Sequence, residues 1–317
     1  MDSENNIKSE NYLSDEFINT IWIFFRTKLS GRTQKEYFAV IKNFSKLTGR
    51  DPLKINREAV SKYTDYIKEK LESGRLSYTT AQMRISVMRT ICEYIRFIMN
   101  EKGYEYFNYF NDISLPDIDK TIKEEMLPTV NELNYILEQS KNDNNDMAFI
   151  IFSLIIKCGL TSSEISSLNV EYIMLDINNN FCINFPSKKG VTRIIKLPDD
   201  ISDLIDFYIS TNAIYEGALF YNKRKTRLKV RDAERILNKY IKRGIENKKI
   251  QKHFTMQSMR HAAIQYMLKG GASEEAVADY TGITTKWMPR YRRIVNSSLL
   301  SDAADYNIIE IRSKNMH

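Results

Sequence analysis

Apolar residues recur at helical spacing through the first third of this chain. Phe17, Ile18, Ile21, Phe24 and Phe25 form one set, and Tyr37, Val40, Ile41 and Phe44 a second. Val60, Tyr63, Ile67 and Leu71 form a third. The longest stripe is Ala81, Ile85, Met88, Ile91, Ile95 and Ile98, which predicts a helix starting near Ser77 with one face against a core. On that helix Gln82, Arg89 and Arg96 stand seven residues apart and share a polar face. Such a face suits either solvent or a phosphate backbone. Arg26, Lys28, Arg32 and Lys35 add a second basic cluster nearby. Helical order is therefore expected from about 14 to 106.

Residues 111–128 break the pattern. Asn111, Asp112, Ser114, Pro116 and Asp117 are turn residues, and Pro128 closes the stretch, so it reads as a linker. Thr129-Val130-Asn131-Glu132 is a capping-box sequence that predicts a helix to about Ser140. A second helix, apolar on most faces, is expected from about Met147 to Lys157. Three short runs of β-formers follow, at 172–177, 181–185 and 193–197. Asn178-Asn179-Asn180 and Ser187-Lys188-Lys189-Gly190 separate them, which predicts an antiparallel meander with a lysine at one tip. From 200 to 310 the pattern is again helical. The expected fold class is mainly α with a small antiparallel β-sheet.

A chain of 317 residues exceeds one small core and favours two domains. Placed on the linker, these are 1–115 and 120–317. Lys plus Arg outnumber Asp plus Glu by 47 to 40, and a net charge of +7 has the sign that suits a polyanionic partner. Cys92, Cys158 and Cys182 are scattered through apolar stretches, the pattern of reduced core thiols in a cytoplasmic protein rather than a disulfide framework. With histidine at only three positions, 253, 261 and 317, no zinc constellation is expected. The first residues lack a signal-peptide pattern, and the most apolar run, Met147 to Ile156, is too short to span a bilayer. Neither a G-x-G-x-x-G nor a Walker sequence is present, so no cofactor and no membrane association are expected.

Four segments carry chemistry. Gly159-Leu160-Thr161 is followed by Glu164-Ile165 and Leu168. Lys189-Gly190 lies in the predicted hairpin ahead of Arg193 and Leu197-Pro198. Gln257-Ser258-Met259-Arg260-His261 opens a helix. Tyr280-Thr281-Gly282-Ile283 precedes Tyr291, which sits among Lys286, Arg290, Arg292 and Arg293. In this order the segments resemble the boxes of the tyrosine recombinase (phage integrase) family. The chain departs from the family pattern in places. Thr161 stands where the family has its first arginine, Gln257 replaces the first histidine, and Ile283 replaces a histidine or tryptophan. The lysine turn is one residue shorter, and Tyr291 comes one residue early.

The resemblance implies a helical core-binding domain followed by a catalytic domain, together clamping duplex DNA. It implies cleavage by a tyrosine that forms a 3′-phosphotyrosyl bond, with arginines neutralising the phosphorane and a lysine protonating the 5′-oxygen. Carried over position by position, the candidate catalytic residues are Tyr291, Arg260, Lys189 and Gln257. Lys157 and Arg193 are the candidates to replace the missing first arginine, although a lysine offers no bidentate fork. His261 reads as a structural residue bonded within its helix, and Trp287 as packing. Arg32, Arg89, Arg96, Lys223, Arg224, Lys225, Arg227 and Arg290 are candidate DNA contacts, although a dense run such as 223–231 also suits a solvated loop. The resemblance further implies a homo-oligomer on DNA, joined through a C-terminal helix within 296–317, and accessory proteins. Three readings follow: a recombinase of a mobile element or plasmid, a relaxase-like nickase for plasmid transfer, and a recombinase fold kept only for DNA binding. A helical scaffold unrelated to DNA is a fourth.

Overall fold

The structure, a computed structural model, describes residues 12–115, 120–188 and 191–291. Lys189 and the segment 296–317 therefore lie outside the described residues. The architecture is mainly α-helical with one small antiparallel sheet. It divides into two units, the first ending at residue 119 and the second starting at residue 120.

The first unit opens with a mixed helical run: a π-helical stretch Phe17–Trp22, a short α turn α1 (Ile23–Phe25) and a 3-10 turn Arg26–Lys28. Phe17, Ile21 and Phe25 are buried, but Phe24 is 61% exposed. A π turn holds more residues than the 3.6 of an α turn, so a face inferred from α spacing drifts and Phe24 rotates outward. Then come α2 (Gly31–Thr48), α3 (Arg57–Glu72) and α4 (Tyr78–Glu101). Ser30, Asn56 and Ser77 cap them by accepting the backbone N–H of Thr33, Ala59 and Thr80. The stripe on α4 buries Ala81, Ile85, Met88, Ile91 and Ile95. The core between these helices is aromatic, with Phe44 meeting Tyr63 edge-on at 5.2 Å between ring centres.

The polar face of α4 departs from expectation at Arg89. Its Nε donates to the Phe110 carbonyl at 3.1 Å and its Nη2 to the Ile113 carbonyl at 2.6 Å. The chain that leaves α4 lacks a helix or sheet partner there, and the guanidinium satisfies its carbonyls. Arg96 and Arg32 are exposed and pair with Glu93 and Glu36 on their own helices.

The second unit begins with α5 (Val130–Asn142), closed at its start by the capping box of Thr129 and Glu132. The apolar helix α6 (Asp146–Cys158) is buried along most of its length and stops at Gly159, whose φ of 62° is the left-handed conformation glycine tolerates. A second capping box, Thr161 with Glu164, starts the short helix α7 (Ser162–Ser167). The meander follows in the expected order, as β1 (Ile173–Leu175), β2 (Phe181–Lys188) and β3 (Val191–Lys196). Its register sets Ile183 opposite Ile195 and Phe185 opposite Arg193. The helices α8 (Asp199–Thr211), α9 (Val230–Glu246), α10 (Met256–Lys269) and α11 (Glu274–Thr281) pack around the same core. The run 212–229, expected to be helical, is instead a connection with a turn at 222–226, where Asn222 N–H donates to Thr226 O and Lys225 N–H to Asn222 O. Its charge density leaves too few apolar positions for a buried helical face. A 3-10 segment, Thr285–Tyr291, ends the described chain.

Candidate active site

Arg260 lies one turn into α10 and is only 3% exposed. Its Nη2 donates to the Thr281 carbonyl at 2.7 Å, and its Nη1 donates to the Gly159 carbonyl. Those carbonyls end α11 and α6, where helices leave unpaired acceptors and a partial negative charge. The Glu164 carboxylate stands 3.8 Å from Nη1. Thus two helix ends and one carboxylate hold a buried cation whose remaining N–H groups are free of those bonds. Burial lowers the pKa of Arg260, Glu164 opposes this, and the nearby Arg193 cation adds to it. Arginine remains protonated throughout the working range.

A second guanidinium stands beside the first. Arg193 projects from β3, and its Nη1 donates to the same Thr281 carbonyl at 2.9 Å. The same nitrogen pairs with Glu164 Oε1 at 2.9 Å, while the Phe185 ring lies 4.7 Å from its Cζ. Gly282 makes room for it: a Cβ there would strike the Arg193 guanidinium, and its φ is 70°.

Tyr291 is buried, with its hydroxyl 2.6 Å from His261 Nδ1. The other imidazole nitrogen is 3.1 Å from Gln257 Nε2. Its position follows from the 3-10 segment before it. Met288 is sunk in the core, Ile122 N–H donates to Arg290 O at 2.8 Å, and Arg290 Nε donates to Lys120 O at 2.9 Å. Burial, joined by Arg290 and Arg260, pushes the His261 imidazole down to about 4, so it is neutral at pH 7. Burial pushes the Tyr291 phenol up to about 12 against the pull of Arg260 and Arg290.

A neutral imidazole has two tautomers, and the Gln257 amide selects between them. With its N–H₂ toward the ring, the amide donates to Nε2, and Nδ1–H then donates to the phenol oxygen. With the amide turned over, Nε2–H donates to Gln257 Oε1, and Nδ1 accepts the phenol proton. The second arrangement equips the phenol for attack.

The structure thus brings Tyr291, Arg260 and Gln257 into one cluster and adds His261, read from sequence as structural, and Arg193, read as a stand-in for the missing arginine. His261 does bond within its helix, to Gln257, but also reaches across thirty residues to Tyr291. Periodicity carries no signal for that second contact. Arg193, one of two candidates for the missing arginine, is in the cluster. Lys157, the other, pairs instead with Asp200 at 3.1 Å. The Thr161 hydroxyl accepts the Glu164 backbone N–H at 3.1 Å. Ile283 packs against the core. Trp287, expected to be packing, is 51% exposed and carries the Arg290 guanidinium on its face at 4.7 Å. Lys223, Arg224 and Lys225 are exposed on the 222–226 turn, whereas Arg227 Nη2 donates to Asn169 Oδ1 at 2.6 Å.

This arrangement of a capped-helix cluster, a three-stranded meander and a buried tyrosine is built from the same segments that resemble the tyrosine recombinase boxes in the sequence. Residues 128–290 match the model of the phage integrase family. The chain belongs to that family. It is 26% identical over 259 residues to a tyrosine recombinase of Pseudothermotoga lettingae, covering 80% of this chain and 84% of that one. It is 23% identical over 273 residues to the tyrosine recombinase XerC of Syntrophus aciditrophicus, again covering 80% and 84%. In fold it is similar to the Tn1549 transposon integrase solved with transposon right end DNA, with a TM-score of 0.68 at 14% identity, over 89% of this chain and 96% of that one. A lambda integrase dimer bound to a core site gives a TM-score of 0.60 at 12% identity, over 94% and 99%. Among the described residues, no helix is long and apolar enough to cross a membrane.

Proposed function

We propose that this protein is a site-specific DNA recombinase of a mobile element or plasmid that cuts and rejoins duplex DNA through Tyr291. One observation carries the reading: the Tyr291 hydroxyl sits 2.6 Å from an imidazole held neutral, beside a buried arginine. In the proposed step Tyr291 Oη attacks phosphorus and its proton passes to His261 Nδ1. The P–O5′ bond breaks as the 3′-phosphotyrosyl bond forms, so the ester energy is conserved for rejoining. Arg260 offers N–H groups to the non-bridging oxygens, where one preorganised donor is worth roughly 10²–10³ in rate. With Oε1 turned toward the ring, the reverse of the orientation that sets Gln257 Nε2 3.1 Å from His261 Nε2, Gln257 holds His261 in the accepting tautomer. By resemblance, Lys189 protonates the 5′-oxygen.

Both units take part in DNA binding in this reading. Arg32 and Arg96 in the first unit, and Lys223, Arg224 and Lys225 in the second, are exposed cations suited to phosphates. Arg89 and Arg227 hold backbone or side-chain oxygens in place and support that surface. Arg290 lies over the Trp287 ring, and its charge pulls the Tyr291 phenol down, so it adds positive potential at the site.

The test is covalent trapping. Wild type and Tyr291→Phe are incubated with supercoiled DNA from the gene's own neighbourhood and separated in denaturing gel. An adduct with wild type alone supports the proposal, and counting cut strands separates recombinase from relaxase-like nickase. A second reading, a recombinase fold that binds DNA without cutting, is favoured by the use of Thr161 as a helix cap and by Ile283 packed against the core. Tight DNA binding with no adduct on any neighbouring sequence would establish it.

A further inference from the structure

We infer that Arg193 is the second phosphate-binding guanidinium of this active site, replacing from a β-strand the arginine that Thr161 lacks. The inference rests on the proposed cleavage reading and deepens it by giving a phosphate contact to Arg193 and none to Lys157, the other stand-in the sequence offers, which pairs with Asp200.

Three independent features point to an anion. First, Arg193 and Arg260 share their anchors: both donate to the Thr281 carbonyl, and both face the Glu164 carboxylate, at 2.9 and 3.8 Å. Two cations held side by side repel; Glu164 offsets one of the two charges and leaves one in excess, which a phosphate facing both would offset. Second, only one end of the Arg193 guanidinium is tied down. Nη1 makes the bonds to Thr281 and Glu164, while Nε and Nη2 are shielded from water with no hydrogen-bond partner. Each such unsatisfied donor costs about 1–3 kcal/mol, so a partner is expected. Nε–H and Nη2–H form one edge of the guanidinium plane, the parallel fork that matches two oxygens of a phosphate. Third, that edge is held in place. The Phe185 ring lies against the guanidinium, and Gly282 is the residue whose missing Cβ admits it. Thr161 needs no cationic role in this arrangement, because its hydroxyl and Glu164 form the α7 capping box.

The tether alone would serve to bind β3 to the end of α11, so the test must read the free edge. Full-length wild type, Arg193→Ala, Arg193→Lys and Tyr291→Phe are used, with Arg235→Ala as a control on α9, where the Arg235 side chain is 78% exposed. Circular dichroism confirms folding. In the first arm, melting temperature is compared in inorganic phosphate and in chloride at matched ionic strength. Wild type and Arg235→Ala should gain the same phosphate-specific increment. Arg193→Lys, which keeps the charge but not the fork, should lose most of it, and Arg193→Ala all of it. In the second arm, adduct formation is followed on the cleaved duplex. Arg193→Ala should slow it by roughly 10²–10³-fold while DNA affinity changes less than about threefold. A duplex with a neutral methylphosphonate at the cut position should restore much of the Arg193→Ala rate, because no charge then needs the missing cation.

An equal phosphate increment in wild type and Arg193→Ala overturns the inference. So does an unchanged cleavage rate in Arg193→Ala, or a slow rate that the methylphosphonate leaves unrescued. If phosphate binding depends on Arg193 but wild type forms no adduct, the anion site stands and the cleavage reading fails.

Discussion

In the proposed cleavage the attacking phenol is buried and raised to about 12, and the imidazole that would accept its proton is lowered to about 4. Both shifts have the same first cause, desolvation, which disfavours the charged form of each group. Transfer of the proton from Tyr291 to His261 is therefore uphill in the resting protein, and an arriving phosphate with its counter-charges changes that balance. A stability consequence follows for His261. Its folded pKa lies below the unfolded value of about 6.5, so folding favours the neutral ring. The stabilisation is present above pH 6.5 and is lost as pH falls toward about 4. Between those limits wild type should lose stability more steeply on acidification than His261→Asn, measured as urea midpoints. Parallel curves would show that the ring does not titrate in this window. A second residue-scale expectation concerns Gly282. Its φ of 70° and the Arg193 guanidinium beside it leave no place for a Cβ. Gly282→Ala should cost about 1–2 kcal/mol from the left-handed backbone alone, and should also displace Arg193, so cleavage should fall further than stability. An alanine variant that cleaves at the wild-type rate would contradict the packing role.

At the scale of elements, much of the structure was legible because its signals are local. The Thr129–Glu132 capping box, the α4 stripe and the three β runs each specify an element within a few residues, and each forms where its pattern lies. Arg260 was legible too, because a box of adjacent residues marks it. What could not be read is what elements do to one another. The Arg193 pairing with Glu164 joins β3 to α7, and the Tyr291 contact with His261 joins the last 3-10 turn to α10. Neither has a period or spacing to announce it. Arg89 shows the same limit from the other side. Helical spacing placed it on a polar face with Arg96, and the returning chain at 110–113 captured it. Hydrogen bonds from a charged donor are worth about 1.5–3 kcal/mol each, so Arg89→Ala should destabilise the first unit by roughly 2–4 kcal/mol. Arg96→Ala, exposed and paired at the surface, should change stability by less than about 1 kcal/mol. Equal losses in chemical denaturation would mean that Arg89 is no more structural than Arg96.

For the whole molecule, the proposed function raises the question of which of its many cations would meet DNA. Net charge does not answer it, since +7 is a small surplus over 40 acidic residues. The distribution does better, because several basic side chains are already engaged: Arg227 by Asn169, Arg243 by Asp143, and Arg260 by two helix ends. Lys223, Arg224 and Lys225 stand exposed on one tight turn, with Lys225 at a φ of 56° that a short turn enforces. Cations on a rigid turn lose little freedom on meeting a phosphate backbone, unlike those on a loose tail. Each phosphate contact removed should lower the slope of log K against log salt by roughly 0.9. Replacing all three residues by alanine should therefore flatten the slope by roughly 2–3 on duplex DNA, whatever its sequence, because phosphate contacts carry no base information. Arg193→Ala removes one contact at the scissile phosphate and should flatten it by at most roughly 1. An unchanged slope in the triple variant would make 222–226 a solvated turn and move the DNA surface elsewhere, to the exposed faces bearing Arg32 and Arg96.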